Sequence, residues 1–189
     1  MNKRSIIYEF FLLLMLWYAS EGLCSDTNGH RLQLGIKIFP ALVGGNLDLA
    51  SQTNKDGTLL LLIVYGEDRG TGENLVRMLN TSTRVIDHYP IQVVVCMVSE
   101  FRQFADRPVA GIFLAESLKS APMEEIIVFG IAKKSIIFSP FEGDVQNGVM
   151  AGMEISTQVK PALNLVTLRK SGIRLNSLFI KVAKIYGEN

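Results

Sequence analysis

From about residue 30 onward the chain alternates short apolar runs with amphipathic stretches. Leu59 to Tyr65 reads Leu-Leu-Leu-Leu-Ile-Val-Tyr between Gly57 and Gly66. An unbroken apolar run of this length, bounded by glycine, predicts a strand covered on both faces. Ile91 to Val98 and Val109 to Ala115 have the same character. These three are expected to be the central strands of a largely parallel sheet. Between the first two, Thr71 is placed to cap a helix that lays Leu75, Val76, Met78 and Leu79 on the sheet, with Glu73 near its positive end. Met123 to Lys133 predicts a second crossover helix through Ile126, Ile127, Phe129 and Ile131, although its β-branched residues fit a strand equally well.

Ser135 to Ser139, Gly152 to Thr157 and Gln158 to Leu163 are expected to complete the sheet, with Met153 and Ile155 alternating as at half-exposed positions. Leu175, Leu178, Phe179, Val182, Ala183 and Tyr186 recur at helical spacing and predict a C-terminal amphipathic helix, which Gly187 would end. The first segment is ambiguous. Leu32, Leu34, Ile36 and Ile38 alternate as in a strand, while Leu34, Ile38, Phe39 and Leu42 fit a helix. No repeat or Pro-rich linker interrupts the series. The reading is one α/β domain, a largely parallel sheet flanked by helices with a C-terminal amphipathic helix.

The start of the chain follows another pattern. Lys3 and Arg4 precede an apolar run from Phe10 to Ala19, between Glu9 and Glu21. That run is shorter than the ~20 residues a membrane span needs and reads as a secretory signal segment. Ser20-Glu21-Gly22 and Leu23-Cys24-Ser25 both offer small residues for cleavage. Acylation of Cys24 is disfavoured by Leu23 and Glu21. The expected organisation is a signal peptide over residues 1–25 and an α/β domain over 26–189, which places the mature protein in the periplasm.

Composition narrows the function classes. With 19 basic and 18 acidic residues the net charge is +1, and no imbalance points to nucleic acid or an anionic membrane surface. Cys96, inside an apolar run, would be the one thiol left after processing, so no disulfide is expected within the chain. His30 and His88 are the only histidines and are expected in loops; neither has neighbours at metal-ligand spacing. No Gly-x-Ser-x-Gly or similar nucleophile context occurs, so no catalytic residue, cofactor or enzymatic role is expected.

Two segments remain as candidate sites. Gly66-Glu67-Asp68-Arg69-Gly70-Thr71-Gly72 has the strand, glycine and helix order of a phosphate cradle. It lacks the lysine of a P-loop, and its carboxylates would repel an anion, so a plain turn is the expectation. Ser139-Pro140-Phe141-Glu142-Gly143-Asp144-Val145-Gln146-Asn147-Gly148 puts an aromatic residue, two carboxylates and two glycines in a loop after a strand. Loops at strand ends carry binding residues. Ser139, Phe141, Glu142, Gly143, Asp144 and Asn147 are therefore the candidate partner- or ligand-binding residues, against the alternative of a surface connection.

Ser135 to Asp144, Val159 to Leu165 and Ser171 to Lys184 together resemble the closing half of YfiR-like (YfiR/HmsC) proteins. Leu175, Phe179, Ile180 and Ala183 stand near the positions of that family's final helix, and Leu59 to Asp68 is similar to its first strand and turn. The resemblance implies a periplasmic, non-enzymatic regulator that binds a membrane-bound diguanylate cyclase or sensor and holds it inactive. It leaves homodimer formation open. It also implies disulfide tuning, which Cys96 alone does not permit within one chain. A solute-binding module serving a membrane partner is the alternative, with the loop Ser139 to Gly148 as its site.

Overall fold

A computed structural model of the protein describes residues 22–187. The signal segment inferred from the sequence therefore lies outside the described residues as far as position 21. Among the described residues no helix is long and apolar enough to cross a membrane.

Helix α1, Gly22–Gly44, resolves the ambiguity of the first segment in favour of a helix. Ile36, Phe39, Leu42 and Val43 recur on one face and are buried. Strand β1, Leu59–Tyr65, is buried along its whole length, as an apolar run without alternation predicts. Helix α2, Arg69–Ser82, follows and buries Leu75 and Leu79. Its cap is Asp68, not Thr71: the Asp68 carboxylate accepts from the Thr71 amide at 3.0 Å and the Thr71 hydroxyl at 2.6 Å. Both residue types cap helices, and the carboxylate one turn earlier satisfies the free amide.

Strands β2, Val85–Ile86, and β3, Tyr89–Met97, form a short hairpin, after which a 3-10 turn, Phe101–Phe104, leads towards β4, Gly111–Leu114. Helix α3, Ser120–Lys133, is the second crossover helix. Then come β5, Ile136–Ser139, β6, Ala151–Ile155, and β7, Val159–Asn164. Helices α4, Leu165–Ser171, and α5, Ser177–Val182, precede β8, Lys184–Tyr186.

The eight strands form one sheet in the order β2-β3-β1-β4-β5-β6-β7-β8. Neighbours from β3 through β6 are parallel, as are β7 and β8, whereas β2/β3 and β6/β7 are antiparallel. The α/β class and the mostly parallel sheet expected from the sequence are what the structure has. Phe39 on α1 meets Phe113 of β4 and Phe138 of β5, while Ile137, pointing the other way, lies against Gly130 of α3. Helices α1 and α3 therefore cover opposite faces of the sheet.

Three expectations are corrected. Strand β3 is not central, because among the described residues only the two-residue β2 lies beyond it. An apolar run shows that a strand forms, not how many neighbours it has. The C-terminal amphipathic helix stops at Val182, with Leu178 and Val182 exposed, and Lys184–Tyr186 pairs with Ala162–Asn164 instead. Closing the open edge of β7 outweighs the helical periodicity, clear as it is, because a helix this short gains its stability from packing rather than from spacing. His30 lies in α1 rather than a loop, while His88 sits exposed in the β2/β3 turn.

Cys96 is buried in β3, and burial, only partly offset by a contact from Gln103, pushes its thiol up to about 11. A thiol held that far above neutrality supplies little thiolate. Native protein is expected to react with a thiol reagent at Cys96 far more slowly than denatured protein, as mass spectrometry of timed labelling would show. Equal rates would contradict this burial.

Candidate functional site at the carboxyl end of β5

Strands β5 and β6 overlap by just two pairs, Phe138 with Ala151 and Ser139 with Gly152. Strand β6 thus begins where β5 ends and runs on past it. The β6/β7 hairpin therefore stands above the carboxyl end of β5 as a wall, and the loop that follows Ser139 lies at its foot. Together they enclose a hollow of about 70 Å³. Phe141, Glu142, Gly143 and Gln146 line it from the loop, Met153, Glu154 and Ile155 from β6, Arg31 from α1 and Tyr186 from β8.

The structure divides the predicted site residues. Phe141, Glu142 and Gly143 line the hollow, with Gly143 at a φ of +85° that favours glycine. Ser139 and Asp144 are buried beneath it: the Ser139 hydroxyl donates to Asp144 at 2.5 Å and accepts from the Phe141 amide at 3.2 Å. Asp144 is therefore a brace of the loop rather than a surface charge. Asn147 is exposed and does not line the hollow; its amide donates to the Gly143 carbonyl at 2.9 Å.

Other residues hold the loop in place. Asn164, at the end of β7, caps α4 by accepting from the Thr167 amide at 3.1 Å and donates to the Val145 carbonyl at 2.8 Å. The Thr167 hydroxyl donates to the Gly148 carbonyl at 2.7 Å. Arg31 donates to the Pro140 carbonyl at 3.1 Å and pairs with Glu142 at 3.0 Å. Tyr186 donates to Glu154 at 3.1 Å, and its phenol is raised by desolvation first and by Glu154 besides. Arg31, Glu154 and Tyr186 were not legible as site residues, since the packing of α1 brings in the first and the strand order the other two.

Burial holds the Asp144 carboxyl above its ordinary range, opposed by the Ser139 hydroxyl. The native state then binds that proton more tightly than the unfolded chain does. The associated stability is present at pH below the unfolded value and is lost as pH rises through the native one. Asp144→Asn keeps an acceptor for Ser139 and has no charge to bury. Its melting temperature is expected to match that of the parent at acid pH and to exceed it once the pH passes the unfolded carboxyl's value of about 3.9, the gap growing until the native carboxyl has ionised and holding level above that. A gap that narrows as pH rises would refute the assignment.

The glycine turn after β1 also holds an anion, but the protein supplies it. The amides of Gly66, Glu67 and Asp68 donate to the Glu116 carboxylate at 3.2, 3.0 and 2.6 Å. This lies between β1 and β4, where the strand order reverses and open α/β sheets form their crevices. The position is filled by a side chain that ties the two strand ends together. Among the described residues no group of three or more His, Cys, Asp or Glu is placed to hold a metal ion.

No protein-family model matches the chain, and no curated protein is similar to it. Solved structures share its fold. A conserved domain protein from Vibrio cholerae is 13% identical with a TM-score of 0.52, over 76% of this chain and 60% of that one. An ABC domain from Streptococcus pneumonia in complex with L-Trp is 10% identical, TM-score 0.52, over 77% and 62%. The ligand-free, open form of CD0873, a substrate binding protein with adhesive properties from Clostridium difficile, is 9% identical, TM-score 0.50, over 76% and 59%. The chain thus spans about three-fifths of the length of these structures. Likeness at such identities shows an α/β domain with this sheet and nothing finer.

Proposed function

We propose that the protein is an exported, non-enzymatic regulator that works in the periplasm by reversible association with a membrane-bound diguanylate cyclase or sensor, with the hollow beside Phe141 as its contact. The size of that hollow carries the reading. It holds about 70 Å³, against the ~300–1,000 Å³ of pockets that enclose a small ligand. A recess of this size suits one anchoring side chain of a protein partner, the usual form of an interface hot spot. Arg31 is already matched by Glu142, which leaves Glu154 beside the rings of Phe141 and Tyr186. A carboxylate with aromatic walls favours a basic side chain. The signal-like N-terminus and the YfiR-like residues support the direction of the proposal.

Deleting the gene is expected to raise cellular cyclic di-GMP, because loss of a repressor frees its target. Restoring the gene with Glu154→Lys should leave the level high while the purified variant remains folded by circular dichroism. A second reading, solute binding, draws on the fold shared with a substrate binding protein and with an ABC domain solved in complex with L-Trp. It predicts a ligand-dependent rise in melting temperature, since binding to the native state alone stabilises it. An unchanged cyclic di-GMP level after deletion, together with such a rise, would replace the first reading by the second.

A further inference from the structure

The bond between Ser139 and Asp144 closes the chain on itself, and Phe141, Glu142 and Gly143, which line the hollow, lie inside the closed segment. The same serine oxygen accepts from the Phe141 amide, so the brace and the placing of Phe141 share one atom. Asp144 is only 6% exposed. Among the described residues the Ser139 hydroxyl is its one side-chain partner, and no cation pairs with it. A buried carboxylate is stable in its ionised form when two or three donors, or a cation, replace the water it has lost. One hydroxyl does not replace it.

The charged groups nearby do not make up the difference. Glu142 of the loop is paired with Arg31 of α1, and Glu154 of β6 accepts from Tyr186 of β8. Strand β7 and helix α4 meet the loop through Asn164 and Thr167, and α3 meets it through Ile127, none of which carries a charge. Burial acts on the Asp144 carboxyl first and the Ser139 hydroxyl second, and burial prevails.

We propose that Asp144 is a proton-operated latch for the loop: neutral, it stays seated against Ser139 and holds residues 140–143 closed; ionised, it loosens them. The sign follows from linkage. A carboxyl that leaves its seat recovers water and its ordinary affinity for protons, so acid favours the seated form and rising pH the released one. Each unit by which the seated carboxyl exceeds the free one changes the ratio of released to seated loop about tenfold. For docking, the consequence rests on the reading of the hollow as the partner contact: association tightens as Asp144 takes up its proton, because Phe141 and Glu142 are then held in the wall.

Hydrogen exchange of the purified protein, read by NMR as protection relative to an unstructured amide, tests the latch. The Phe141 amide is bonded to Ser139 and the Asn147 amide to the Gly143 carbonyl. Both are expected to lose protection as pH rises through the Asp144 titration and then to hold level, while the amides of β1 keep theirs. Asp144→Asn should hold both at their acid protection at every pH, and Glu142→Gln should follow the parent. Ser139→Ala removes the hydroxyl that opposes burial, so the midpoint of the Asp144 titration, followed at its carboxyl carbon, should move up. Protection that is flat in the parent, or that falls alike in Asp144→Asn, overturns the latch. Should Asp144→Asn not fold, a midpoint that stays or drops in Ser139→Ala overturns it instead. None of these results touches the reading of the hollow as a contact, which fails on an unchanged cyclic di-GMP level after deletion.

Discussion

Phe113→Ala is expected to lower the unfolding free energy by about 4 kcal/mol, within the range for truncating a buried aromatic side chain. Phe113 is fully buried at the centre of a cluster, stacked on Phe138 at 5.4 Å and edge-on to Phe39 at 5.5 Å. Each ring pair contributes about 0.5–1.5 kcal/mol beyond its buried area. The resulting void cannot collapse easily, because β4 is held by β1 on one side and β5 on the other. Domains of this size are stable by only ~5–15 kcal/mol, so the loss is a large fraction. The urea midpoint should fall with little change in slope. Since Phe39 belongs to α1, the same change should loosen the helix that carries Arg31 into the hollow. A loss below about 1 kcal/mol would mean that the three rings do not pack as a unit.

The centre of the fold was legible because its residues state their burial locally. Leu59 to Tyr65 has no polar position, and only a strand covered on both faces can use such a run. What failed were properties that belong to pairs of elements. Ile91 to Val98 looks as buried as β1, yet the strand order leaves it beside a two-residue neighbour. Leu175, Phe179 and Tyr186 share a helical spacing, yet Leu175 makes a bridge to Asn46, Phe179 lies against Gly45 and Tyr186 pairs with Asn164. Each is held by a partner more than 20 positions away, and no local periodicity records that.

The candidate site divides the same way. The loop after Ser139 was legible from its glycines, carboxylates and position after a strand. Which of its residues face the hollow was not, because Asp144 and Glu142 are equally acidic in sequence. One is buried under a serine hydroxyl and the other is paired at the surface with Arg31. The remaining wall comes from β6 and β8, brought in by an overlap of two residues between parallel strands. At the glycine turn after β1, the sequence suggested that carboxylates would keep anions away. Instead a carboxylate from the end of β4 occupies the cradle, since Glu116 arrives by topology rather than by spacing.

Gly152→Ala is expected to cost about 3 kcal/mol and to open the hollow at the same time. A Cβ at this position would stand 2.5 Å from the Ser139 carbonyl oxygen and 2.6 Å from Val145. The first is backbone and cannot rotate away, so the strain falls at the upper end of the ~1–3 kcal/mol typical of overpacking. Relief requires β6 to move off β5, and Gly152 makes one of the two residue pairs that join them. Moving β6 carries Met153, Glu154 and Ile155 away from Phe141 and disturbs the contact between Ser139 and Asp144. Gly172→Ala is a suitable control, because it replaces a glycine of positive φ with open space around it, costs backbone strain only and leaves the hollow intact. If the hollow is where the partner docks, Gly152→Ala should raise cyclic di-GMP even at a temperature where the variant remains folded by circular dichroism, whereas Gly172→Ala should not. A Gly152→Ala protein that is both fully stable and fully repressing would show that the two-residue junction between β5 and β6 does not hold the site together.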